Sequence, residues 1–228
     1  MAQKQAIFTM LGGRVRMFRG EYNATSDAAW LAAFVPEKIR TVLDVGIGTG
    51  GVGLCLNAHN PNIKLTGIDI SDKMLTECAR NAELNNCDIE LINADIMSWR
   101  TPRTFDAVIT NPPYFTGTPA NHNAHHNTDI IQWTRKCIAR VRPRGYCCII
   151  IDASRMSDAV FAMRGANCGD ITIVPLFGAK QNAERVLIRC RIGTGGGDKL
   201  YNGLPMNYEP VLRDGLTINS TLARLGWI

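Results

Sequence analysis

The sequence has no apolar run long enough to cross a bilayer and no pair of cysteines in CxxC spacing. A membrane-spanning helix needs roughly 18 apolar residues in succession, and the N-terminal stretch MAQKQAIFTMLGGRV lacks the sustained apolar core of a secretion signal. Without CxxC pairs, neither a structural zinc site nor a dithiol redox centre has its usual local signature. We therefore expect a cytoplasmic protein with no membrane partner and no bound metal.

The cysteines and histidines that are present fit this expectation. Eight cysteines are spread through apolar, periodic segments, and thiols stay reduced in the cytosol, so we interpret them as reduced core residues. Three histidines fall in the segment NHNAHHN, at His122, His125 and His126. We favour a substrate loop leading into the next helix over a metal site for this segment.

Length and composition predict one well-buried domain with short appendages. The chain has 228 residues, of which 46% are hydrophobic and 20% charged, with a formal net charge of +5, as in an ordinary globular domain. We divide it into an N-terminal hairpin and helix over 1–35, a main domain over 36–192 and a C-terminal extension over 193–228. The run GTGGGDK would link the last two as a flexible segment.

Strand-length apolar runs alternate with helix-length amphipathic runs along the main domain. The predicted strands are 41–46, 64–69, 88–93, 105–110, 145–152, 170–176 and 185–192, and the predicted helices are 51–59, 72–85, 127–140 and 154–164. This alternation predicts an α/β fold with a doubly wound, mainly parallel, seven-stranded sheet. No clear helix separates the last two strands, so we expect an antiparallel end. Before the sheet, IFTMLGGRVRMF predicts a hairpin turned by Gly12 and Gly13.

The first strand of the sheet ends in the glycine-rich segment DVGIGTGG. Ligands of such sheets bind beyond the carboxyl ends of the strands, where Gly46, Gly48 and Gly50 let the backbone turn tightly and approach a ligand. By itself this loop also fits a dinucleotide site. Asp44 lies within the predicted buried strand, where an unpaired carboxylate is costly, so it needs a cofactor ammonium or a loop amide as partner.

Carboxylates also follow the next two strands. Asp69 ends the second strand, where it would accept hydrogen bonds from the two hydroxyls of a ribose; the alternative is a helix cap, since Ser71 follows. Asp95 follows the third strand and would contact the exocyclic amine of an adenine, or else serve as an ordinary turn residue. The glycine loop and these two carboxylates together indicate a ligand-binding site far more specifically than any one of them does.

The fourth strand is followed by NPPY, the residues Asn111, Pro112, Pro113 and Tyr114. The Asn111 side-chain oxygen and the Pro112 carbonyl can each accept one N–H of an amine that is conjugated to a ring. The prolines fix φ and remove competing donors, so the turn is preorganised. Tyr114 offers a face on which a base can stack. These four residues are our catalytic candidates, and a simple Pro-Pro turn is the alternative.

This pattern resembles the class I S-adenosylmethionine-dependent methyltransferases, and NPPY resembles the signature of enzymes that methylate planar amino nitrogens. Further segments, LGGRVRMFRGEYNATSDAAWLAAFVP, AHHN and RVLIRCRIG, resemble bacterial tRNA adenine-N6 methyltransferases that act beside the anticodon of valine tRNA. The resemblance spans roughly residues 7–192 and implies a Rossmann-like class I methyltransferase fold and S-adenosylmethionine as cofactor. The cofactor contacts that it implies are Asp27, Asp44, Gly46, Gly48, Gly50, Asp69, Ile70, Asp95, Ile96 and Asn111.

Basic residues agree with an RNA substrate. The segment RKCIARVRPR and the N-terminal hairpin each concentrate positive charge, which suits phosphate contacts, although a solvated surface is the alternative for each cluster. The candidate RNA-binding residues are Arg14, Arg16, Arg19, Arg135, Lys136, Arg140 and Arg142. We therefore expect tRNA as the substrate partner.

Three alternatives remain open at this point. Methyltransferases that modify a glutamine amide of a protein release factor also use NPPY, but they carry a helical domain ahead of the cofactor loop, and here 43 residues precede Asp44. A DNA adenine methyltransferase would need a target-recognition insertion, for which the sequence shows no segment. A non-catalytic RNA-binding domain on the same fold would be expected to have degraded motifs, and these are intact.

Overall fold

The computed structural model describes residues 5–113 and 129–228. It opens with the predicted hairpin: β1 (Ile7–Met10) pairs antiparallel with β2 (Val15–Phe18). Between them, Gly12 and Gly13 have φ angles of 63° and 95°, a region that glycine enters without steric cost. The hairpin prediction is confirmed.

The remaining strands form one nine-stranded sheet in the described part of the chain. They are β3 (Thr41–Val45), β4 (Lys64–Asp69), β5 (Ile89–Asn93), β6 (Phe105–Thr110), β7 (Val141–Asp152), β8 (Cys168–Phe177), β9 (Arg185–Ile192), β10 (Lys199–Leu200) and β11 (Leu204–Pro205). The order is β10-β8-β9-β7-β6-β3-β4-β5, with β11 also on β8. All neighbours are parallel except β9, which runs antiparallel between β7 and β8. The seven predicted strands and the antiparallel end are confirmed.

Helices cover the sheet as the alternation predicts. They are α1 (Ser26–Phe34), α2 (Gly51–His59), α3 (Asp72–Leu84), α4 (Ile130–Ile138), α5 (Met156–Gly165), α6 (Glu209–Leu212) and α7 (Ile218–Arg224). The sheet separates two large apolar clusters, one under α1 and α2 and the other under α4 and α5. The central strands are therefore buried on both faces, which explains their continuous apolar sequences.

The order in which strands are added to the sheet reverses at the parallel pair β3 and β6. From β3 the sheet grows outward through β4 and β5, whereas β6 starts the growth in the opposite direction through β7. Such a switch point leaves a crevice above the carboxyl ends of the strands. We call this side of the sheet the carboxyl edge, and the side where β3, β4, β6 and β7 begin the amino edge.

Two arginines of β9 hold α1 against the sheet. Arg185 Nε lies 3.2 Å from Asp27 Oδ2 in the first turn of the helix, and Arg189 Nη1 donates to the Phe34 carbonyl at the last residue, at 2.9 Å. The four steps of strand from Arg185 to Arg189 span about 13 Å, and the seven steps of helix from Asp27 to Phe34 rise about 10 Å. These spans are similar, so one strand can anchor both ends of α1.

The C-terminal residues join the main core. The short strands β10 and β11 extend the sheet beyond β8, and α6 and α7 bury Val211, Ile218 and Leu222 in the cluster under α1. Trp30 is fully buried there and donates its Nε1–H to the Met206 carbonyl at 3.1 Å. The aperiodic sequence of this segment gave no indication of that packing.

The structure shows the state of the cysteines and the length of the apolar helices. All eight cysteines are buried free thiols, as predicted for core residues. Among the described residues, no helix is both long and apolar enough to span a membrane.

Candidate active site

A cleft of about 260 Å³ opens at the carboxyl edge above the switch point. One wall is formed by residues 22–25 and Ala28, which lead from the hairpin into α1. The other wall is formed by residues 46–49, which follow β3, and by Asn111, which follows β6. The structure thus brings the glycine loop and the first residue of NPPY into one cavity, as the sequence predicts from their positions at neighbouring strand ends.

The glycine loop needs the conformational freedom of its three glycines. Gly46, Gly48 and Gly50 have φ angles of 72°, 55° and 90°, which L side chains rarely adopt. At Gly50 a Cβ would also lie 2.8 Å from Cys78 Sγ. Gly50 is the N-cap of α2, so the loop delivers the free amides of a helix N-terminus to the cleft.

Asp44 lies beneath this loop with 2% exposure. Its Oδ2 is buried and has no hydrogen-bond partner among the described residues. Burial raises the pKa of Asp44 to about 7, the Gly53 backbone amide in α2 lowers it, and the charge of Asp69 raises it further. A buried carboxylate beneath the glycine loop, with one oxygen unpaired among the described residues, fits a cationic partner such as an ammonium group.

Asp69 connects two backbone segments at the end of β4. Its Oδ2 accepts the Gly48 N–H at 2.9 Å, and its Oδ1 accepts the Ser71 N–H at 3.0 Å. The helix-cap alternative does not hold for Asp69, because Ser71 is the N-cap of α3 and its Oγ accepts from Met74 N. Asp69 therefore fixes the glycine loop to the end of β4, at the carboxyl edge of the sheet.

The other residues beyond β4 and β5 differ in environment. Ile70 is 55% exposed at the carboxyl edge, and Asp95 is exposed, with Oδ1 accepting the Met97 N–H at 2.8 Å as in a turn. Ile96 is only 2% exposed and packs with Leu43 in the core. Ile70 and Asp95 thus remain accessible to a ligand, whereas the structure places the Ile96 side chain in the interior.

Asn111 has a vacant acceptor like Asp44. Its Oδ1 is buried without a hydrogen-bond partner among the described residues, although the residue lines the cleft. Pro112 is buried and Pro113 exposed behind it. Tyr114 and the three histidines of NHNAHHN lie outside the described residues.

Asp27 lies in the first turn of α1, beside the cleft wall. It is buried at 4% exposure, and its carboxylate pairs with Arg185 on β9, while its neighbours Thr25 and Ala28 line the cleft. The structure therefore places Asp27 between two residues of the cleft wall, where its pair with Arg185 fixes the start of α1.

A family model described as "Methyltransferase small domain" matches residues 24–162, more than half of the chain. The match includes the glycine loop, Asp69 and Asn111. The chain belongs to this methyltransferase family.

Relatives of this methyltransferase include enzymes with different substrates. A tRNA1(Val) (adenine(37)-N6)-methyltransferase of Glaesserella parasuis is 31% identical over 90 residues, which are 39% of this chain and 38% of that protein. A release factor glutamine methyltransferase of Flavobacterium psychrophilum is 38% identical over 78 residues, 34% of this chain and 27% of that protein. The chain thus aligns with well under half the length of these curated relatives.

Solved structures confirm the fold of this methyltransferase. A protein of Listeria monocytogenes assigned to the class I S-adenosylmethionine-dependent methyltransferases superposes with a TM-score of 0.61 at 18% identity, covering 88% of this chain and 68% of that one. The class I fold and the family together make S-adenosylmethionine the cofactor. The vacant acceptors of Asp44 and Asn111 fit such a cationic ligand.

The raised pKa of Asp44 predicts a pH-dependent cofactor affinity. If the ionised carboxylate partners the cofactor ammonium, S-adenosylhomocysteine should bind more weakly as the pH falls below about 7, approaching about tenfold per pH unit, and Asp44→Asn should remove the dependence. Calorimetry at pH 6 to 8, in two buffers with different ionisation enthalpies, measures both the affinity and the proton released. An affinity that is constant over this range would refute the assignment.

The basic residues of this methyltransferase are not gathered in one place. Arg142 lies at the amino edge and pairs with Asp106, and Arg144 lies in the same irregular start of β7 with a φ of 62°. Arg140 is only 9% exposed and donates to the Trp99 carbonyl. The structure contradicts a phosphate-binding role for Arg140, because its guanidinium is buried, and it places Arg142 at the end of the sheet opposite the cleft.

The other candidate RNA-binding residues lie in helix α4 and in the hairpin. Arg135 lies 5.9 Å from the Phe161 ring centroid, and Lys136 is half-buried beside it toward the amino edge. Arg14, Arg16 and Arg19 are exposed along the hairpin, which continues directly into the cleft wall at residues 22–25. The three hairpin arginines are all exposed, and the hairpin precedes the cleft wall in the chain.

Sequence reasoning missed two residues that shape the cleft. Tyr22 is 61% exposed on its wall, in a turn where Asn23 and Gly20 exchange two hydrogen bonds of 3.1 Å. Asn81 of α3 is 1% exposed and joins Phe18 N to the Thr49 carbonyl with two bonds of 2.9 Å. For Asn81, the sequence offered one indication of this role: a polar residue on the apolar face of an amphipathic helix, which must find hydrogen-bond partners once it is buried.

Proposed function

We propose that this methyltransferase transfers a methyl group from S-adenosylmethionine to the exocyclic N6 amine of an adenine in tRNA, next to the anticodon. The observation that carries the proposal is the buried Oδ1 of Asn111, which has no hydrogen-bond partner among the described residues and lies in the same cleft as the glycine loop. A buried acceptor without a donor costs free energy, and an amine N–H supplied by the substrate removes that cost.

Methylation of a conjugated amine needs a hydrogen-bond acceptor such as Asn111 Oδ1. The lone pair of an adenine amine is delocalised into the ring, so the amine is a weak nucleophile. Asn111 Oδ1 and the Pro112 carbonyl would each accept one N–H and turn the lone pair toward the methyl group. The cofactor supplies that methyl on a positively charged sulfur; the new N–C bond forms as the C–S bond breaks. The amine proton then leaves to solvent, and no strong base is required.

The relative from Glaesserella parasuis supports tRNA as the substrate, because its name gives the adenine and its position. The relative from Flavobacterium psychrophilum supports the second candidate, a glutamine amide of a release factor. A glutamine side chain also presents a planar, conjugated NH₂ group, so the Asn111 site suits both. Charge favours RNA, since the hairpin that precedes the cleft wall carries three exposed arginines.

One assay separates the two substrates. The protein is incubated with methyl-labelled cofactor and either unmodified bulk tRNA or purified release factor, and the products are digested and analysed by mass spectrometry. We expect N6-methyladenosine in the tRNA digest and no methylglutamine in the protein digest. Methylglutamine without labelled nucleoside would replace our proposal by the second candidate.

We also predict that tRNA binding depends on salt through the hairpin. Replacing Arg14, Arg16 and Arg19 together by alanine should weaken binding and lower the slope of log K against log salt by about 2 to 3, because each phosphate contact contributes about 0.9 or somewhat less. Fluorescence anisotropy at several salt concentrations measures the slope. The matched control replaces Lys136, Arg142 and Arg144, which removes the same charge elsewhere. Equal losses in both variants would show a non-specific charge effect.

A further inference from the structure

Trp133 links the cofactor loop to the NPPY turn from below. It lies in the first turns of α4, whose start is fixed because Asp129 Oδ1 accepts from Ile131 N at 2.9 Å and from Gln132 N at 3.3 Å. The Trp133 Nε1–H donates to Thr110 Oγ1 at 3.0 Å. Thr110 is fully buried and is the last residue of β6, directly before Asn111.

The Thr110 hydroxyl continues the chain of hydrogen bonds to the next strand. It donates to the Val45 carbonyl at 2.9 Å, at the last residue of β3 and directly before Gly46. Val45 and Thr110 are register partners in the parallel pair. The hydroxyl therefore locks together the two strand ends from which the glycine loop and the NPPY turn depart.

The indole ring also lies under the first glycine of the loop. A Cβ at Gly46 would be 3.6 Å from Trp133 Cζ2 and 3.8 Å from Cη2, which is van der Waals contact. The same side chain thus lies beside the loop proposed to hold the methyl donor, and it is hydrogen-bonded to Thr110, the residue before the proposed acceptor of the amine.

We infer that Trp133 is a positioning residue for methyl transfer, which acts through Thr110 to fix the Asn111 side chain relative to the Gly46 loop. The inference rests on the proposed role of Asn111. A methyl donor and an amine react only when their separation and alignment are held closely, and a small displacement of one strand end against the other changes both. Trp133 should therefore affect the rate of transfer more than the binding of either substrate.

Removal of either hydrogen-bonding group tests this inference. Trp133→Phe keeps an aromatic ring but loses the N–H, and Thr110→Val keeps the shape but loses the hydroxyl. Each should lower the single-turnover rate about three- to tenfold, as expected for one lost buried hydrogen bond. The affinity for S-adenosylhomocysteine and the KM for the methyl acceptor should change less than about twofold. The double variant should be no slower than the slower single variant, because both changes break one unit.

Three comparisons distinguish positioning from a structural role. Thr110→Ser keeps the hydroxyl and should retain nearly the full rate. Trp99→Phe is the matched control, since Trp99 stacks beside Arg140, 5.6 Å from its Cζ, away from the cleft, and it should leave the rate unchanged. Cofactor binding should change the tryptophan emission of the wild-type protein and of Trp99→Phe, and most of this change should disappear in Trp133→Phe.

Each outcome has a defined meaning. Wild-type rates in both Trp133→Phe and Thr110→Val, in a protein that Asn111→Ala inactivates, would overturn the role of Trp133 and leave the proposed function standing. Full activity in Asn111→Ala would instead refute the proposed function. Additive losses in the double variant, or rate losses that follow only the folded fraction measured by thermal melting, would also overturn the inference.

Discussion

Replacing Asn111 by alanine is expected to lower turnover at least about a hundredfold, the usual cost of removing a preorganised polar group that acts in the transition state. The physical reason is the position of its Oδ1, which is buried, has no partner among the described residues, and lines the cleft beside the glycine loop. Without this acceptor, the amine loses one of the two contacts that would orient its lone pair. Single-turnover methylation of tRNA measures the effect.

The affinity for the cofactor should change far less than the rate. Asn111→Asp is the informative companion variant, because a carboxylate keeps the acceptor but adds a charge in a buried position, which is costly; it should also be slow. The control is Asn62→Ala, an exposed asparagine between α2 and β4 at the amino edge, which should retain the activity. A fully active, folded Asn111→Ala protein would remove NPPY from the mechanism.

Asp69→Ala should weaken S-adenosylhomocysteine binding by about 1 to 3 kcal/mol, as expected when hydrogen bonds to a charged acceptor are lost. Two causes act together. The ribose hydroxyls would lose their proposed acceptor, and the Gly48 and Ser71 amides, which Asp69 now holds at 2.9 and 3.0 Å, would be released. Isothermal titration calorimetry gives the affinity, and thermal melting gives the stability.

Two controls separate ligand binding from local stability. Ser71→Ala removes the cap of α3 and should cost about 0.5 to 2 kcal/mol of stability while leaving cofactor affinity close to wild type. Asp88→Ala removes an exposed carboxylate at the start of β5, at the amino edge, and should change neither. An unchanged affinity in folded Asp69→Ala would exclude the ribose contact, and binding of NAD by the wild-type protein would contradict the cofactor class.

The local sequence was sufficient to predict the strands of the sheet and the helix that follows β3. The limits of β4, β6, β9 and α2 agree with those predicted for 64–69, 105–110, 185–192 and 51–59, because buried parallel strands are continuous apolar runs and the helices between them are amphipathic. The same alternation of strands and helices predicts that the ligand-binding glycine and polar residues lie at the strand ends. The glycine loop and Asn111 end neighbouring strands, and the topology alone brings their ends to one edge.

Nearby charges in the sequence were a poor guide to the surface. The segment RKCIARVRPR crosses from α4 into β7, so its side chains separate: Arg140 is buried under Trp99 and Arg142 lies at the amino edge. A charge run predicts a basic surface only if its residues share one face of one element, and this one spans the turn between two elements.

The sequence by itself determined the class I α/β fold, the hairpin and the position of the cofactor loop, because these depend on periodicity, glycine spacing and strand ends. Only the tertiary structure decided which distant residues meet. It placed Arg185 against Asp27, Asn81 between Phe18 and Thr49, Trp133 against Thr110, and the aperiodic C-terminal segment in the core. These contacts join residues far apart in the chain through side-chain geometry, and local propensity contains no information about such pairings.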